Sequence, residues 1–538
     1  MGELDTTIPQ AWAARVAASP DRPTLRYFDG SLTAAEVDAA AGALAAGLAR
    51  RHGVEQGDRV GIYLQNVPDY PIALLALWTL GAVAVPLNPM YKGAELRRLI
   101  DDSGTIGVIA SHTVLDRVRE TLAGGTVRFV LGSDDRAYQT RDDERVFGSL
   151  PAGQESPDGD VAGLIRDFAG QHPPVPGSLG AADLAFITYT SGTTGPPKGA
   201  MNTHRNYLHS VENYRRWVEL APGDVVLAIA PLFHITGMAL NAGVALLGDA
   251  TLVLTHRYHA AVVVDAIREH GVTFTIGSIT AFNAFFSVPG AGPAHFASVK
   301  SFYSGGAPIP PATLTRFRER FGPYLHNVWG MTETTAGGIA VPLGREAPVH
   351  APSGTLSIGV PMQDVRVRII APDGTPLPPG EEGELEFCAP QVVPGYWQNP
   401  DATAATFPGG RLRTGDVAVM DEQGWIYLVD RLKDLINASG FKVWPREVED
   451  ALYEHPAVFE AAVVGEPDEY RGETVVAYVS LNDGQTATAD ELIAFTRERL
   501  AAYKYPRRVR ILDALPKTAT GKIKRRELRA LPGHRPRE

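Results

Sequence analysis

Two periods of hydrophobic residues alternate along most of the chain. Apolar side chains recur at helical spacing in "LTAAEVDAAAGALAAGLARR" (32–51), whereas "DRVGIYL" (58–64) is a short apolar run typical of a buried strand. The alternation returns further on in "VVLAIAP", "ATLVLT", "AAVVVDAIREHG" and "VTFTIGS". This pattern predicts an α/β fold, with a large N-terminal domain of parallel or mixed sheets packed with helices.

The last third of the chain has a different pattern of apolar and turn residues. Beyond Pro352, "VRVRIIAPDGTPLPPGEEGELEFC" carries turn signals at Asp373-Gly374 and Pro379-Gly380, which predicts a β-rich subdomain. A second boundary is expected near "WIYLVDRLKDLINASG" (425–440). The roughly hundred residues after it have helical and strand patterns of their own, enough for a small α+β C-terminal domain.

Two apolar stretches resemble membrane spans at first sight. They run from Tyr70 to Tyr91 and from Val225 to Gly248, and both are interrupted by Pro and Gly. Helix, turn and buried parallel strand explain them better than a helix crossing lipid. The acidic N-terminus lacks a secretory signal, so a cytoplasmic protein is expected. The polar, broken segment 124–160 is predicted to be a surface loop.

Composition and charge exclude some classes of function. Of the 538 residues, 44% are hydrophobic and 21% charged, as in soluble globular proteins. The net charge of −11 argues against a nucleic-acid partner. Cys388 is the sole cysteine of the sequence, which excludes an internal disulfide and favours a packed apolar role over a nucleophilic one.

The segment "FITYTSGTTGPPKGA" (186–200) follows a strand-like run and is rich in glycine and hydroxyl side chains. Small residues let main-chain N–H groups approach phosphate oxygens, and Lys198 adds a positive charge. A Walker A loop needs Gly-Lys-Ser/Thr, whereas Lys198 here follows Pro196-Pro197 and precedes Gly199. The segment therefore predicts a different phosphate loop at the carboxyl end of a strand, with a flexible glycine-rich turn as the alternative.

Further motifs follow this loop in a fixed order, and together they resemble the acyl-adenylate-forming enzymes. That superfamily includes acyl-CoA synthetases, firefly luciferase and nonribosomal peptide adenylation domains. After "YTSGTTGPPKG", the resemblance is carried by "PLFHITG" (231–237), "SGGAPI" (304–309), "NVWGMTET" (327–334), "RTGD" (413–416), "DRLKDLINASGFKVWPREVE" (430–449) and "PKTATGKIKRREL" (516–528).

The resemblance implies that a carboxylic acid attacks the α-phosphate of ATP, and that the acyl-adenylate then passes its acyl group to CoA. It assigns Mg²⁺ to Glu333 and the hydroxyl of Thr190. The remaining phosphate contacts are expected from the loop, namely Thr190, Ser191, Gly192, Thr193, Thr194, Gly195 and Lys198. A carboxylate at the start of a helix is the alternative for Glu333.

The same resemblance places the nucleoside. Adenine is expected between the glycine segment and Trp329, an aromatic residue where most relatives have tyrosine. Asp416 is expected to accept both ribose hydroxyls, and Arg431 to contact ribose or phosphate. The nucleotide contacts predicted from the two motifs are Gly305, Gly306, Ala307, Trp329, Gly330, Met331 and Thr332.

The C-terminal domain is expected to be mobile. The resemblance implies an N-terminal domain at 1–430, a hinge at 431–433 centred on Lys433, and a C-terminal domain at 434–538. One orientation presents Lys522 to the oxygens between acid and α-phosphate. The other brings Gly440 and Lys442 to the CoA arm. A linker lysine without mechanical role is the alternative for Lys433.

The acid pocket is expected from "HITGMA" (234–239), "GSITAFNAFF" (277–286), "SGGAP" and "WGMTET", whose apolar and aromatic texture suits an alkyl or aryl tail. His234 is predicted to gate or orient the thioester step, with a core histidine as the alternative. Two further hypotheses stay open: a ligase that loads a carrier protein, and a silent nucleotide-binding relative. In overall sequence pattern the chain most resembles bacterial fatty-acyl-CoA ligases. The sequence does not determine the oligomeric state, and a homodimer is one of the options.

Overall fold

The computed structural model describes residues 5–190, 197–431, 434–438, 441–468, 472–518 and 522–531. In chain order, the strands are β1 Pro23–Tyr27, β2 Gly30–Thr33, β3 Arg59–Tyr63, β4 Val83–Pro86, β5 Gly107–Ser111, β6 Phe129–Ser133, β7 Leu184–Tyr189, β8 Gly199–Thr203, β9 Val225–Leu227, β10 Thr251–Leu254, β11 Phe274–Gly277, β12 Ser301–Ser304, β13 Leu325–Met331, β14 Ala336–Ala340, β15 Val360–Pro361, β16 Arg366–Ile370, β17 Gly383–Cys388, β18 Leu412–Met420, β19 Ile426–Arg431, β20 Ile436–Ala438, β21 Phe441–Val443, β22 Val458–Asp468, β23 Gly472–Leu481 and β24 Arg508–Ile511.

The α-helices alternate with these strands along much of the chain. They are α1 Ile8–Ala18, α2 Ala34–His52, α3 Asp69–Thr79, α4 Gly93–Ser103, α5 Leu115–Leu122, α6 Glu144–Phe147, α7 Val161–Asp167, α8 His204–Trp217, α9 Val244–Leu247, α10 Ala260–His270, α11 Ile279–Asn283, α12 Pro311–Phe321, α13 Pro400–Thr406, α14 Pro445–Tyr453, α15 Ala489–Arg497 and α16 Arg525–Arg529. A π-helix, Thr236–Gly243, runs directly into α9.

Two large sheets form the N-terminal part of the protein. One has nine strands in the order β15-β14-β13-β12-β11-β9-β10-β1-β2, and the other has six in the order β6-β5-β3-β4-β7-β8. Most neighbouring pairs are parallel, and antiparallel partners such as β14 and β8 make both sheets mixed. The prediction of mixed sheets packed with helices is therefore confirmed.

Each of the two stretches that resemble membrane spans contains both strand and helix. Tyr70–Tyr91 contains helix α3, a turn and strand β4, and every residue of α3 is buried. The indole N–H of Trp78 donates to the carbonyl of Ala185 at 2.9 Å, so α3 anchors strand β7. Among the described helices, none combines the length and hydrophobicity needed to cross a lipid bilayer.

The prediction of a surface loop over 124–160 is wrong where the chain forms a strand and a short helix. Phe129–Ser133 forms β6, a fully buried edge strand parallel to β5, and Phe147 is buried on the short helix α6. Polar residues surround this strand on both sides, so its short apolar run is easily overlooked. The backbone hydrogen bonds of β6 come from its parallel partner β5 in the six-stranded sheet, and the local sequence does not indicate this pairing.

The β-rich subdomain and the small C-terminal domain each have a sheet of their own. An antiparallel sheet in the order β16-β17-β18-β19 ends at Arg431. The next described strand, β20, belongs to the last sheet, in which β21, β20, β23 and β22 are neighbours and β24 pairs with β23. The predicted boundary at 431–433 lies between these two sheets, and Lys433 itself lies outside the described residues.

Candidate active site

The predicted phosphate loop connects two antiparallel strands. It leaves the end of β7 and returns in β8. The N–H of Thr190 donates to the carbonyl of Lys198 at 2.9 Å, and the N–H of Lys198 donates to the Thr190 hydroxyl at 3.3 Å. These bonds close the base of the loop. Ser191, Gly192, Thr193, Thr194 and Gly195 lie outside the described residues.

A distant segment pairs with β8 just beyond this loop. The N–H of Trp397 donates to the carbonyl of Gly199 at 2.7 Å, and the N–H of Met201 donates to the carbonyl of Gly395 at 3.0 Å. Between them, Tyr396 is bridged to Ala200 in antiparallel fashion. Because of this pairing, the side chain of Tyr396 stands beside Lys198.

Tyr396 links the loop lysine to Glu333. Its hydroxyl donates to Oε1 of Glu333 at 2.5 Å, and the Nζ of Lys198 lies 4.7 Å from the centre of its ring. Tyr396 and Glu333 are both buried. Burial first, and then the negative charge of Glu333, raise the pKa of Tyr396 well above its usual value, so the phenol stays protonated and donates.

Glu333 lies on a strained turn between β13 and β14. Thr332–Thr334 form one turn of 3₁₀ helix, and the next two residues, Thr335 and Ala336, have φ values of 48° and 82°. Such values are costly for residues with a Cβ, and they persist only where the surroundings impose them. Backbone strain next to a candidate ligand of this kind is typical of functional sites.

Buried uncharged groups impose this turn. The Thr335 hydroxyl donates to the carbonyl of Gln391 at 2.7 Å and accepts from the amide of Asn202 at 2.9 Å. The Gln391 amide donates to the carbonyls of Thr334 and Gly337, at 3.3 and 2.5 Å. This group of Asn202, Thr335 and Gln391, here called the brace, is almost fully buried and fixes the backbone that presents Glu333.

Four residues before Glu333, Trp329 contacts the predicted ribose acid. Its indole N–H donates to Oδ2 of Asp416 at 2.9 Å, and its ring lies 5.7 Å from that of Phe387. Both Trp329 and Asp416 are buried. The following residue must be glycine, because a Cβ on Gly330 would lie 1.7 Å from the carbonyl oxygen of Ala336. The indole therefore orients the acid that is predicted to hold the ribose.

The glycine segment after β12 meets the C-terminal domain. Gly306 has φ +81°, a left-handed conformation that favours glycine, and a Cβ there would lie 3.2 Å from Cε of Lys522. Neighbouring Gly305 donates its N–H to the carbonyl of Gly277 at 3.1 Å. Lys522, contributed by the small domain, is thus beside the segment that is predicted to contact the nucleotide.

His234 is the second group near Lys522. Burial, and then the positive charge of Lys522, lower the pKa of His234 to about 3. Its Nδ1 accepts from the N–H of Thr236 at 3.3 Å, so the neutral ring carries its proton on Nε2. A ring of such low basicity is a poor general base near neutral pH, in keeping with a gating or orienting role.

Comparison with known families and proteins agrees with this geometry. The AMP-binding enzyme family matches residues 12–397, and the AMP-binding enzyme C-terminal domain matches residues 447–522. The chain belongs to the AMP-binding enzyme family.

This AMP-binding enzyme is similar to its relatives over nearly their whole length. It is 34% identical to a long-chain-fatty-acid–CoA ligase of Escherichia coli O6:H1, over 96% of this chain and 92% of the relative. It is 35% identical to a feruloyl-CoA synthase of an Amycolatopsis species, over 96% and 98%. The ATP-bound crystal structure of MatB from Rhodopseudomonas palustris superposes with a TM-score of 0.85 at 26% identity, over 98% and 99% of the two chains.

The described part of this AMP-binding enzyme brings most predicted site residues to one region. Trp329, Gly330, Met331, Thr332 and Glu333 follow one another at the end of β13, and Ala307 follows Gly306 after the neighbouring strand β12. Arg431 is the backbone register partner of Asp416, while Lys442 lies in β21. Gly440 lies outside the described residues, and the two proposed CoA contacts stay predictions.

One expectation for the acid pocket needs correction. The aromatic residues of "GSITAFNAFF" were expected to line it, but Phe282 and Phe285 are fully buried in an aromatic core. Their rings lie 5.4–5.9 Å from those of Phe302, Phe296 and Phe317. The core between the nine-stranded sheet and helices α10 and α12 takes up these side chains.

Sequence reasoning missed Tyr396 and the brace. Tyr396 lies in "PGYWQNP", which no motif singled out, and it reaches Glu333 across 63 residues. Asn202 and Gln391 are 133 and 56 residues from Thr335. The sequence offered one weak signal for Tyr396. It is an aromatic residue between a Pro-Gly pair and an Asn-Pro pair, which predict a loop, and a loop does not usually require a buried aromatic side chain.

Proposed function

We propose that this acyl-CoA ligase uses ATP to convert a carboxylic acid with an uncharged tail into its CoA thioester through an acyl-adenylate. The observation that carries the proposal is the placement of two lysines from separate domains. Lys198 lies beside Tyr396, which donates to Glu333, and Lys522 lies beside Gly306. Two anionic reactants need positive charge on both sides to approach each other.

In the first step, a carboxylate oxygen of the acid attacks the α-phosphorus of ATP. The bond between the α-phosphorus and the oxygen bridging to the β-phosphate breaks, and pyrophosphate leaves. Lys198 and the loop amides offset the charge that gathers on pyrophosphate. Lys522 offsets the repulsion between the carboxylate and the α-phosphate. Asp416, oriented by Trp329, holds the ribose.

Glu333 and Thr190 fit a magnesium ion. Both offer oxygen, the donor that Mg²⁺ prefers, and Tyr396 occupies one oxygen of Glu333 and leaves the other for a metal. Among the described residues, no cluster of three or more His, Cys, Asp or Glu side chains could form an all-protein site. Mg²⁺ commonly binds to one or two protein oxygens and to phosphates, where it neutralises developing charge.

In the second step, the thiol of CoA releases its proton to water and its sulfur attacks the acyl carbon. The bond between the acyl carbon and the phosphate oxygen breaks, and AMP leaves with the bonding electron pair. The proposed hinge at Lys433 turns the C-terminal domain, so that Lys522 withdraws and Gly440 and Lys442 approach the CoA arm. The orientation described here places Lys522 at Gly306, which suits the first step. His234, which lies near Lys522, is proposed to orient the incoming thiol.

The acid is proposed to carry an apolar or aryl tail. In the four segments predicted to form its pocket, His234 and Glu333 are the ionisable side chains; Glu333 is the proposed magnesium ligand, and burial lowers the pKa of His234. Burial of an unpaired charge would be costly. A long-chain fatty-acid ligase and a feruloyl-CoA synthase at similar identity support this class. The co-substrates ATP and CoA support the predicted cytoplasmic location.

A two-stage assay with a panel of acids tests the proposal. Acid-dependent exchange of pyrophosphate into ATP reports the first step, and CoA-dependent release of AMP reports the second. We expect exchange with apolar or aryl acids, and AMP release on addition of CoA. Exchange without CoA-dependent release would indicate a carrier-protein acceptor, and lack of exchange across the panel would contradict the proposed function.

A further inference from the structure

Tyr396 lies between groups of opposite charge. Its hydroxyl donates to Oε1 of Glu333 at 2.5 Å, while the ammonium of Lys198 lies 4.7 Å from its ring centre. The ring presents its negative face to the cation, and the O–H presents its proton to the anion. One side chain thus contacts both the proposed metal ligand and the proposed phosphate ligand.

The backbone around Tyr396 leaves this side chain little freedom. Hydrogen bonds to β8 hold the residues on either side of it, as described above. Its own N–H donates to the hydroxyl of Thr403 at 2.9 Å, and its ring packs 5.6 Å from that of Phe407. With an exposure of 4%, the phenol is held in place by strand pairing and by packing together.

Two other buried tyrosines of this protein donate their hydroxyls to backbone carbonyls. Tyr207 donates to the carbonyl of Met238 at 2.9 Å, and Tyr303 donates to the carbonyl of Val341 at the same distance. A buried phenol needs an acceptor, and a carbonyl is enough for a purely structural role. Tyr396 instead donates to the carboxylate of Glu333, a bond that fixes which oxygen remains for another partner.

We propose that Tyr396 is a positioning residue that orients Glu333 for magnesium and holds Lys198 toward the phosphates. The inference rests on the proposed function, because it assumes that Glu333 and Lys198 serve the nucleotide. Groups that hydrogen-bond to metal ligands set the ligand's orientation, and their loss commonly weakens metal affinity or activity by about 10–100-fold. The ring contributes separately, through its cation–π contact with Lys198.

Two substitutions separate the roles of the hydroxyl and the ring. Tyr396→Phe removes the hydrogen bond and keeps the ring, whereas Tyr396→Leu removes both. Equilibrium ATP binding is measured by titration calorimetry, once with excess Mg²⁺ and once with EDTA. For Tyr396→Phe we expect affinity about tenfold weaker with Mg²⁺ and unchanged with EDTA. For Tyr396→Leu we expect affinity with EDTA to fall as well, by about fivefold.

Tyr427→Phe is the matched control. Tyr427 is also 4% exposed, and its hydroxyl donates to Oδ2 of Asp421 at 2.8 Å, outside the site. This variant loses the same kind of bond, and we expect ATP affinity to stay as in the wild type under both conditions. An equal loss in Tyr427→Phe would show a general effect of structure and overturn the proposal.

The remaining outcomes are equally decisive. Wild-type affinity for ATP with Mg²⁺ in Tyr396→Phe, or an equal loss with Mg²⁺ and EDTA, would overturn the orienting role. Wild-type affinity with EDTA in Tyr396→Leu would overturn the role of the ring. Failure of the wild-type protein itself to bind ATP would contradict the proposed function, and is distinguishable because it needs no variant.

Discussion

Two charged segments of the site, here called its arms, are held in different ways: the turn with Glu333 and the segment with Lys522. The turn with Glu333 belongs to the large domain and rests on the brace, whose three side chains are at most 1% exposed and uncharged. The segment with Lys522 belongs to the small domain and continues into α16. There, Arg525 pairs with Glu449 at 2.8 Å and with Asp434 at 3.4 Å, and its side chain is 26% exposed.

This difference corresponds to what each arm is proposed to do. Buried neutral hydrogen bonds hold a group in one geometry, because breaking them leaves buried polar atoms unpaired. Partly exposed ion pairs are weaker and exchange readily with water. They suffice to keep Lys522 with its own domain, since Asp434 and Arg525 both belong to that domain. Glu333 is therefore fixed, while Lys522 is carried by a body that is proposed to rotate.

The largest expected effect is that of Lys522→Ala. Removal of one donor from a developing charge commonly costs about a hundred- to a thousandfold, so acid-dependent pyrophosphate exchange should fall by that factor. Thioester formation from pre-made acyl-adenylate should be spared. Lys524→Ala is the control, because Lys524 is an exposed neighbour paired with Glu527. Equal losses in both half-reactions would contradict the assignment of Lys522 to the first step.

Gln391→Leu tests the fixed arm. It deprives the carbonyls of Thr334 and Gly337 of their partner, so the unfolding free energy should fall by about 1–3 kcal/mol. The affinity for ATP with Mg²⁺ should weaken at the same time, because the turn with Glu333 relaxes. Urea unfolding and calorimetry measure the two effects, with the exposed Gln423→Leu as control. A stable variant with normal affinity would show that the brace is dispensable.

Acid should weaken the large domain. Burial lowers the pKa of both His204 and His326 to about 4. Between about pH 4 and 6.5 the unfolded chain binds protons at these positions and the folded chain does not, so stability falls as pH falls through this window. The pKa of Asp69, raised to about 6 by burial, has the opposite sign and offsets one histidine.

Urea unfolding between pH 4.5 and 7 measures this slope. Each histidine contributes up to about 1.4 kcal/mol per pH unit. His326→Gln should flatten the decrease in acid and Asp69→Asn should steepen it. A slope unaltered by His326→Gln would contradict the neutral state of the buried ring.

The smallest expected effect concerns the ion pairs of the mobile arm. Partly exposed pairs contribute about 1 kcal/mol or less, so Arg525→Gln should slow pyrophosphate exchange by at most about fivefold. Added salt should reduce the difference from the wild type. Arg526→Gln, one position along α16, is the control. A loss of exchange rate as large as that of Lys522→Ala would mean that the two arms are held with similar strength.

Local patterns predicted the elements and motifs well. The helix and strand within 70–91, and the loop after β7, follow from hydrophobic spacing and from Gly, Pro and hydroxyl residues close together in sequence. The buried strand β6 was missed, because its short apolar run, Phe129 to Leu131, has polar residues on both sides and its partner β5 lies elsewhere in the chain.

The sequence by itself determined the chemistry that is available: a hydroxyl- and glycine-rich loop with Lys198, an acid at Glu333, another at Asp416 and a lysine near the C-terminus. Only the tertiary structure decided that Tyr396 joins the first two and that Phe282 belongs to the core. The physical reason is the distance along the chain over which each kind of interaction acts. Periodicity and turn chemistry act between near neighbours, whereas a hydrogen bond across 63 residues depends on how whole sheets pack.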